Sequence, residues 1–208
     1  MHPGEGTPWE DRGHLGIFPA LARTVVAALT RPARLLDAVR RPESTGDATQ
    51  LMGLTGVLLA IGFAGHLAFW RWRDNVPLDA RRLALDALAV LVVLVMPLLL
   101  SRVGAHVYHA MTAAALKGRA RPSLTRSIFA YLLCPLALMI VPLLGPAIAV
   151  LAVSLLVVTA PRTRLRLSAV EGLIAGAVSA VVMLLTVLAA FVLLSWILPR
   201  LIGVLLGE

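Results

Sequence analysis

The 208-residue chain is 59% apolar and only 14% charged, and its mean hydropathy is +0.88. Soluble domains carry about 25% charged residues, so this composition excludes an ordinary water-soluble core and indicates an all-α integral membrane protein. The net charge of +8 comes from arginines that mostly bracket apolar runs. This placement favours contact with anionic lipid head groups and argues against nucleic acid as a partner.

The first 50 residues are predicted to lie outside the spans. Residues 1–14 are rich in Gly and Pro and are predicted to be disordered. Residues 15–41 are predicted to form two basic amphipathic helices, which suit either the head-group boundary or the protein's own cytoplasmic surface, and residues 42–50 a polar linker. The predicted apolar stripes are Phe18, Leu21, Val25, Val26 and Leu29 in the first helix, and Leu35, Leu36 and Val39 in the second.

Two long apolar runs follow, and they predict spans at 51–70 and 83–103. In the first, small residues recur at every fourth position, and this row is predicted to face protein because it lets another helix approach closely. In the second, Pro97 removes a backbone hydrogen bond and is predicted to kink a helix that continues to Leu116. The small-residue row consists of Gly56, Ala60, Ala64 and Ala68.

The next apolar stretch has no charged residue between Arg126 and Arg162. A turn at Pro142, Gly145 and Pro146 divides it into predicted spans at 127–141 and 147–160. A helical arm of about 15 residues reaches only about 22 Å, which is less than the ~30 Å of hydrocarbon. The two arms are therefore predicted to form either a thin pair of spans or a re-entrant hairpin.

The fifth span is predicted at 169–198. It carries a second row of small residues, with a GxxxG step that favours close packing between helices. The row consists of Ser168, Gly172, Gly176 and Ala180.

The distribution of basic residues predicts the orientation. One side receives six Lys or Arg from residues 1–50, five from 102–126 and three from 162–166, whereas the other side receives five in all. Since basic loops remain in the cytoplasm, the N-terminus is predicted to be cytoplasmic and the C-terminus outside.

Residues 117–146 carry a series of recognisable motifs. They are the basic glycine step "KGRARPSLTRS", the early tyrosine of "AYLLCP" and the hairpin turn "PLLGP". With the amphipathic segment "LARTVVAALTRPARLLDAVRR" before the spans, the chain resembles bacterial-type members of the Yip family, small five-span proteins named after interaction with Ypt and Rab GTPases. The resemblance implies five spans and a non-enzymatic membrane protein.

Four polar residues in or near the spans are candidates for function. Asp86 in the second span is a candidate for a proton or ion path, or it forms an ion pair with Arg82 four residues earlier. His66 is expected to be hydrogen-bonded at the interface, and Glu171 to cap the last helix and pair with Arg164 or Arg166. Tyr131 is expected either to hydrogen-bond across helices or to pack.

The sequence contains no HExxH, GxSxG or Walker motif and no acidic cluster with metal spacing. We therefore expect no catalysis, cofactor or metal, and interpret the chain as a scaffold or adaptor in a bacterial inner membrane. Its expected partners are membrane lipids, other membrane proteins or further copies of itself. The alternative is a small transporter or channel subunit, which a water-filled cavity reaching Asp86 would favour.

Overall fold

The computed structural model describes residues 6–39, 45–75, 79–116, 121–141, 144–160, 165–192 and 200. All regular secondary structure in these ranges is helical. The α-helices are α1 (Arg12–Leu15), α2 (Ile17–Thr30), α3 (Pro32–Asp37), α4 (Thr45–Arg73), α5 (Ala80–Leu116), α6 (Pro122–Leu133), α7 (Leu144–Thr159) and α8 (Ala169–Val192), and a 3₁₀ segment (Cys134–Ile140) extends α6.

Four helical elements are long and apolar enough to cross a membrane. They are α4, α5, α6 with its 3₁₀ segment, and α8, whereas α7 is a shorter apolar helix. This result confirms the predicted all-α membrane class. It also confirms that the second predicted span continues as one helix to Leu116.

The third of these elements changes its helix type inside the apolar run. The α-helix ends at Leu133 and the chain continues as 3₁₀ helix from Cys134, because Pro135 has no N–H to donate to the preceding turn. A 3₁₀ helix rises about 2.0 Å per residue and an α-helix about 1.5 Å. The element therefore reaches about 32 Å over its 19 residues, longer than the sequence predicts because the helix also begins earlier, at Pro122.

This third element forms the centre of the molecule. Of its most apolar window, 67% is buried, whereas the corresponding windows of α4, α5 and α8 are 33%, 11% and 28% buried. It contacts α4, α5, α7 and α2. The surrounding helices expose large apolar side chains that include Ile61, Leu91, Leu151, Leu155 and Leu184, as expected where hydrocarbon is the solvent.

Both predicted rows of small residues lie in helix contacts. A Cβ at Gly56 would collide with the carbonyl oxygen of Leu94 on α5, and a Cβ at Gly176 would lie 2.6 Å from the Cα of Val158 on α7. Ala60 and Gly172 are also buried, and Ala64 and Ala180 are half-buried, whereas Ala68 and Ser168 at the ends of the rows are exposed. Close approach of backbones is thus the reason for small residues at these positions.

The predictions for the first 50 residues need two corrections. Residues 6–14 are ordered, and Thr7 and Trp9 are 0% and 2% exposed. Their hydrogen-bond partners, Tyr131 and Asp47, are distant in sequence, so neighbouring residues alone do not predict this order. Residues 1–5 lie outside the described part. The predicted linker is helical from Thr45, since Asp47 near the new N-terminus complements the helix dipole.

The predicted stripe of α2 is divided between two surfaces. Leu21 and Val25 are buried against the spans, whereas Phe18, Val26 and Leu29 are 67%, 58% and 38% exposed. The helix contacts the 3₁₀ segment, α6 and α7, so it packs on the protein itself and still presents an apolar face outward. In α3 and the residues after it, Leu35, Leu36 and Val39 are all buried, as their shared face predicts.

Candidate functional site

Residues 6–15, which we call the N-terminal clasp, have a defined local structure. The backbone N–H of Thr7 donates to Glu10 Oε2 at 2.9 Å, and the N–H of Glu10 donates to Thr7 Oγ1 at 3.2 Å. This reciprocal pattern is a capping box, and the short helix α1 follows it. Hydrogen bonds within the clasp therefore define its local conformation.

The clasp is fastened to the start of α4 and to the central element. Thr7 Oγ1 and the Tyr131 hydroxyl form a buried hydrogen bond of 2.9 Å. The indole N–H of Trp9 donates to the carbonyl oxygen of Asp47 at 3.0 Å, and Arg12 Nη2 forms a 2.8 Å ion pair with Asp47 Oδ1. Arg12 also lies over the Trp9 ring, 5.0 Å from its centroid. Of the two roles expected for Tyr131, the structure shows the hydrogen bond, and its partner is the clasp.

Asp86 has a different partner from the one predicted. Its Oδ2 lies 2.6 Å from Arg71 Nη2 on α4, while Arg82 pairs with Asp79 at 3.2 Å. The predicted pair of Arg82 with Asp86 is therefore wrong. The local spacing allows it, but α4 packs on α5 and brings a second arginine to the carboxylate from the facing helix.

The Arg71 and Asp86 pair lies in a groove of about 740 Å³ between α4 and α5. We call it the Arg71 groove. Arg71 Nη1 is buried and has no hydrogen-bond partner among the described residues. The remaining lining is mostly apolar, with Trp72 and Asn75 near the end of α4 and walls formed by Ala64, Leu67, Ala68, Leu83, Ala87 and Val90.

Near the end of α4, the Trp70 ring contacts His66 and Arg73 of the same helix. The indole N–H of Trp70 donates to His66 Nε2 at 2.7 Å, which confirms that this histidine is hydrogen-bonded. The Arg73 guanidinium lies 3.7 Å from the centroid of the Trp70 ring, within the range of a cation–π interaction. His66 thus has a structural partner within its own helix.

Glu171 caps the last helix as predicted. Its Oε2 accepts the backbone N–H of Ser168 at 2.9 Å, and its own N–H donates to Ser168 Oγ at 3.2 Å. This is a second capping box, and it places negative charge at the positive end of the dipole of α8. Of the predicted ion-pair partners, Arg164 lies outside the described residues and Arg166 is exposed.

The hairpin turn is described only on its second side. Pro142 lies outside the described residues, as does the side chain of Pro146. Gly145 is buried in the first turn of α7, and a Cβ there would collide with the carbonyl oxygen of Leu138. The glycine therefore lets the two arms meet at the turn.

Sequence reasoning missed Tyr108 and the clasp. The Tyr108 side chain is fully buried, its ring packs edge-on against Phe129 at 5.5 Å, and its hydroxyl has no partner among the described residues. The signal for the clasp was the Thr7 to Glu10 spacing of a capping box, with Trp9 inside it.

The two polar assemblies lie at opposite ends of α4. Asp47 and Arg71 are separated by 24 positions, or about 36 Å along the helix axis. No group of three or more His, Cys, Asp or Glu in the described ranges could hold a metal ion. Searches of family models, curated proteins and solved structures find no match to this chain.

Proposed function

We propose that the chain is a non-enzymatic scaffold or adaptor of the Yip kind, with five spans, that organises membrane proteins or lipid. In this proposal α7, which corresponds to the predicted fourth span at 147–160, crosses the membrane together with the four elements that are long enough by themselves. The enclosed central element supports the proposal, because its side chains are used for packing. The motifs in residues 117–146 that resemble the Yip family support the choice of this family.

The observation that carries the proposal is the outward apolar face of α2. Phe18, Val26 and Leu29 are exposed on it, while Ala20, Leu21, Thr24, Val25 and Ala28 on the adjacent face are buried. The clasp holds the start of this helix against the spans through Thr7 and Trp9. A firmly held helix that presents large apolar side chains is suited to contact a partner or lipid.

We propose a bacterial inner membrane with the clasp on the cytoplasmic side and the Arg71 groove on the outer side. The excess of basic residues in 1–50, 102–126 and 162–166 supports this orientation. Trp70 and Trp72 at the end of α4 are 37% and 78% exposed. Such a position suits the aromatic belt of an interface.

Photo-crosslinking in living cells tests the α2 surface. A photoreactive residue in place of Phe18 should capture one defined protein or lipid in repeated preparations, and Val26→Glu should abolish the capture. The control carries the same photoreactive residue in place of Arg23, which is also exposed on α2 but lies beside the apolar face. The scaffold proposal fails if Val26→Glu leaves the captured species unchanged, or if both positions capture the same species equally.

The cavity that reaches Asp86 favours a second candidate function, a transporter or channel subunit. The Arg71 groove includes Asp86 and extends along the helices to Ala64 and Val90. Further along, α4 and α5 close on each other at Gly56 and Leu94. A small aqueous thiol reagent separates the candidates: reaction with Val90→Cys from both sides of the membrane favours a transport path, and reaction from one side favours a closed groove.

A further inference from the structure

The chemistry of the Arg71 groove is that of a site for an amphiphile. One charged pair lies among apolar walls from two helices, and the groove is open along one side. Its volume of about 740 Å³ is within the range of ~300–1,000 Å³ usual for small-molecule sites. A ligand that fits must therefore combine a polar head with an apolar chain.

Arg71 supplies a donor that the protein itself does not use. Its guanidinium meets Asp86 through Nη2, while Nη1 is buried with no partner among the described residues. A buried N–H without an acceptor is strongly unfavourable in hydrocarbon. Guanidinium groups bind phosphate oxygens strongly and with defined geometry, so a phosphate is the anion that suits this position.

The Asp86 carboxylate favours a ligand whose polar head also contains a cation. Its contact with Arg71 uses one oxygen, Oδ2, and a carboxylate can accept several further hydrogen bonds. The Arg71 and Asp86 pair carries no net charge, so it complements a head group with both a phosphate and a cation. The cation must also donate hydrogen bonds, which a primary ammonium does and a quaternary ammonium does not.

We propose that the Arg71 groove binds phosphatidylethanolamine, with its phosphate on Arg71, its ammonium on Asp86 and an acyl chain along the apolar walls. The proposal deepens the lipid part of the proposed function and rests on it. Leu67 and Val90 supply walls from the two helices. Trp72 borders the groove and is 78% exposed, where an indole suits the head-group level.

Native mass spectrometry of the full-length protein in mixed micelles tests the assignment. The probes are phosphatidylethanolamine, phosphatidylcholine and phosphatidylglycerol with identical acyl chains. The wild-type protein should retain one phosphatidylethanolamine about tenfold more strongly than phosphatidylcholine, the difference expected for one charge-assisted hydrogen bond. Equal retention of these two lipids overturns the proposal.

Asp86→Asn provides the sharper comparison, because it keeps the shape of the side chain. The variant should lose the preference for phosphatidylethanolamine over phosphatidylcholine and bind phosphatidylglycerol about tenfold more strongly than wild type, since Arg71 is then no longer neutralised. Arg71→Gln combined with Asp86→Asn should retain none of the three lipids selectively. An unchanged order of lipids in Asp86→Asn contradicts the site.

Arg82→Gln is the matched control. It removes one positive charge from the same end of α5, but Arg82 pairs with Asp79 and does not line the groove. This variant should keep the wild-type order of lipids, and loss of the order would assign the selectivity to general surface charge. The α2 crosslink should be unaffected by all these variants, so failure of the lipid site is distinguishable from failure of the scaffold proposal.

Discussion

Each end of α4 carries an arginine paired with a carboxylate, but the surroundings of the two pairs differ. At the start, Asp47 binds Arg12 and the Trp9 indole, both of which come from the N-terminal clasp. At the end, Arg71 binds Asp86, but its Nη1 has no partner in the described part of the chain and the groove around it is open. One end is closed by the protein itself, whereas the other offers a donor to a ligand.

This difference separates polar groups that stabilise the fold from those available for binding. An arginine is paired with a carboxylate at both ends of α4, so the pair alone does not identify a binding site. At the start of α4, Trp9 is 2% exposed, lies beneath the Arg12 guanidinium and donates to Asp47, whereas Trp72 beside the groove is 78% exposed. The variants below should therefore lower stability at the closed end and leave it nearly unchanged at the open end.

The largest effect should come from Trp9→Ala. The substitution removes a buried indole and its hydrogen bond to Asp47, and we expect the free energy of unfolding to fall by about 3 kcal/mol or more. Thermal unfolding in detergent measures the change. Trp72→Ala at the open end is the control and should change stability by less than about 0.5 kcal/mol. Equal losses in the two variants would remove the distinction between the ends.

Gly56→Ala should have the next largest effect, because Gly56 sits in the α4–α5 contact that separates the two ends. Its new methyl group would collide with the carbonyl oxygen of Leu94, so the helices must move apart at an expected loss of about 1–3 kcal/mol. Gly65→Ala on the same helix meets nothing within 4 Å and should be neutral or slightly stabilising. Chemical denaturation of both variants checks the difference, and a destabilised Gly65→Ala would contradict it.

Tyr131→Phe tests the bond between the clasp and the central element. It removes the hydroxyl that meets Thr7 at 2.9 Å, for an expected loss of about 1 kcal/mol. Tyr108→Phe removes an equally buried hydroxyl that has no partner among the described residues, and it should be neutral or stabilising. Combining Tyr131→Phe with Thr7→Val in a double-mutant cycle measures the coupling, and additive effects would show that the bond contributes nothing.

The smallest effect should come from the charged pair of the closed end. The side chains of Arg12 and Asp47 are 24% and 18% exposed, so Arg12→Gln should lower stability by about 1 kcal/mol or less, and the difference should shrink at high salt. Asp74→Asn breaks a half-exposed pair with Arg73 and should cause no measurable change. A difference between Arg12→Gln and wild type that is independent of salt would indicate lost packing rather than lost charge.

The sequence predicts the features of this fold that depend on local pattern. Helix periodicity and length predict α4 and α5, and spacing alone predicts that Gly56 and Gly176 lie in helix contacts, as they do. The capping of α8 by Glu171 is likewise a short-range effect. Glu171 and Ser168 are close in sequence. The small-residue rows of Gly56 and Gly176 predict a contact with another helix without specifying which helix it is.

Features that depend on which helix faces which could not be predicted. Arg82 is the local partner for Asp86, but the packing of α4 on α5 supplies Arg71 instead. The bond between Thr7 and Tyr131 joins residues 124 positions apart, so a segment rich in Gly and Pro was expected to be disordered. Both errors have the same cause, because the tertiary arrangement provides stronger partners than the neighbouring sequence does.

Cysteine labelling from each side of the membrane tests the central claim that α4 crosses the bilayer, with its closed end in the cytoplasm and its open end outside as proposed. Gly13→Cys and Asn75→Cys place exposed thiols beside the two ends, and the wild-type chain is the background control because Cys134 is 0% exposed. A membrane-impermeant maleimide applied to spheroplasts should label Asn75→Cys alone, and lysis should make Gly13→Cys reactive as well. Labelling of both thiols in intact spheroplasts, or of Gly13→Cys alone, would contradict the account.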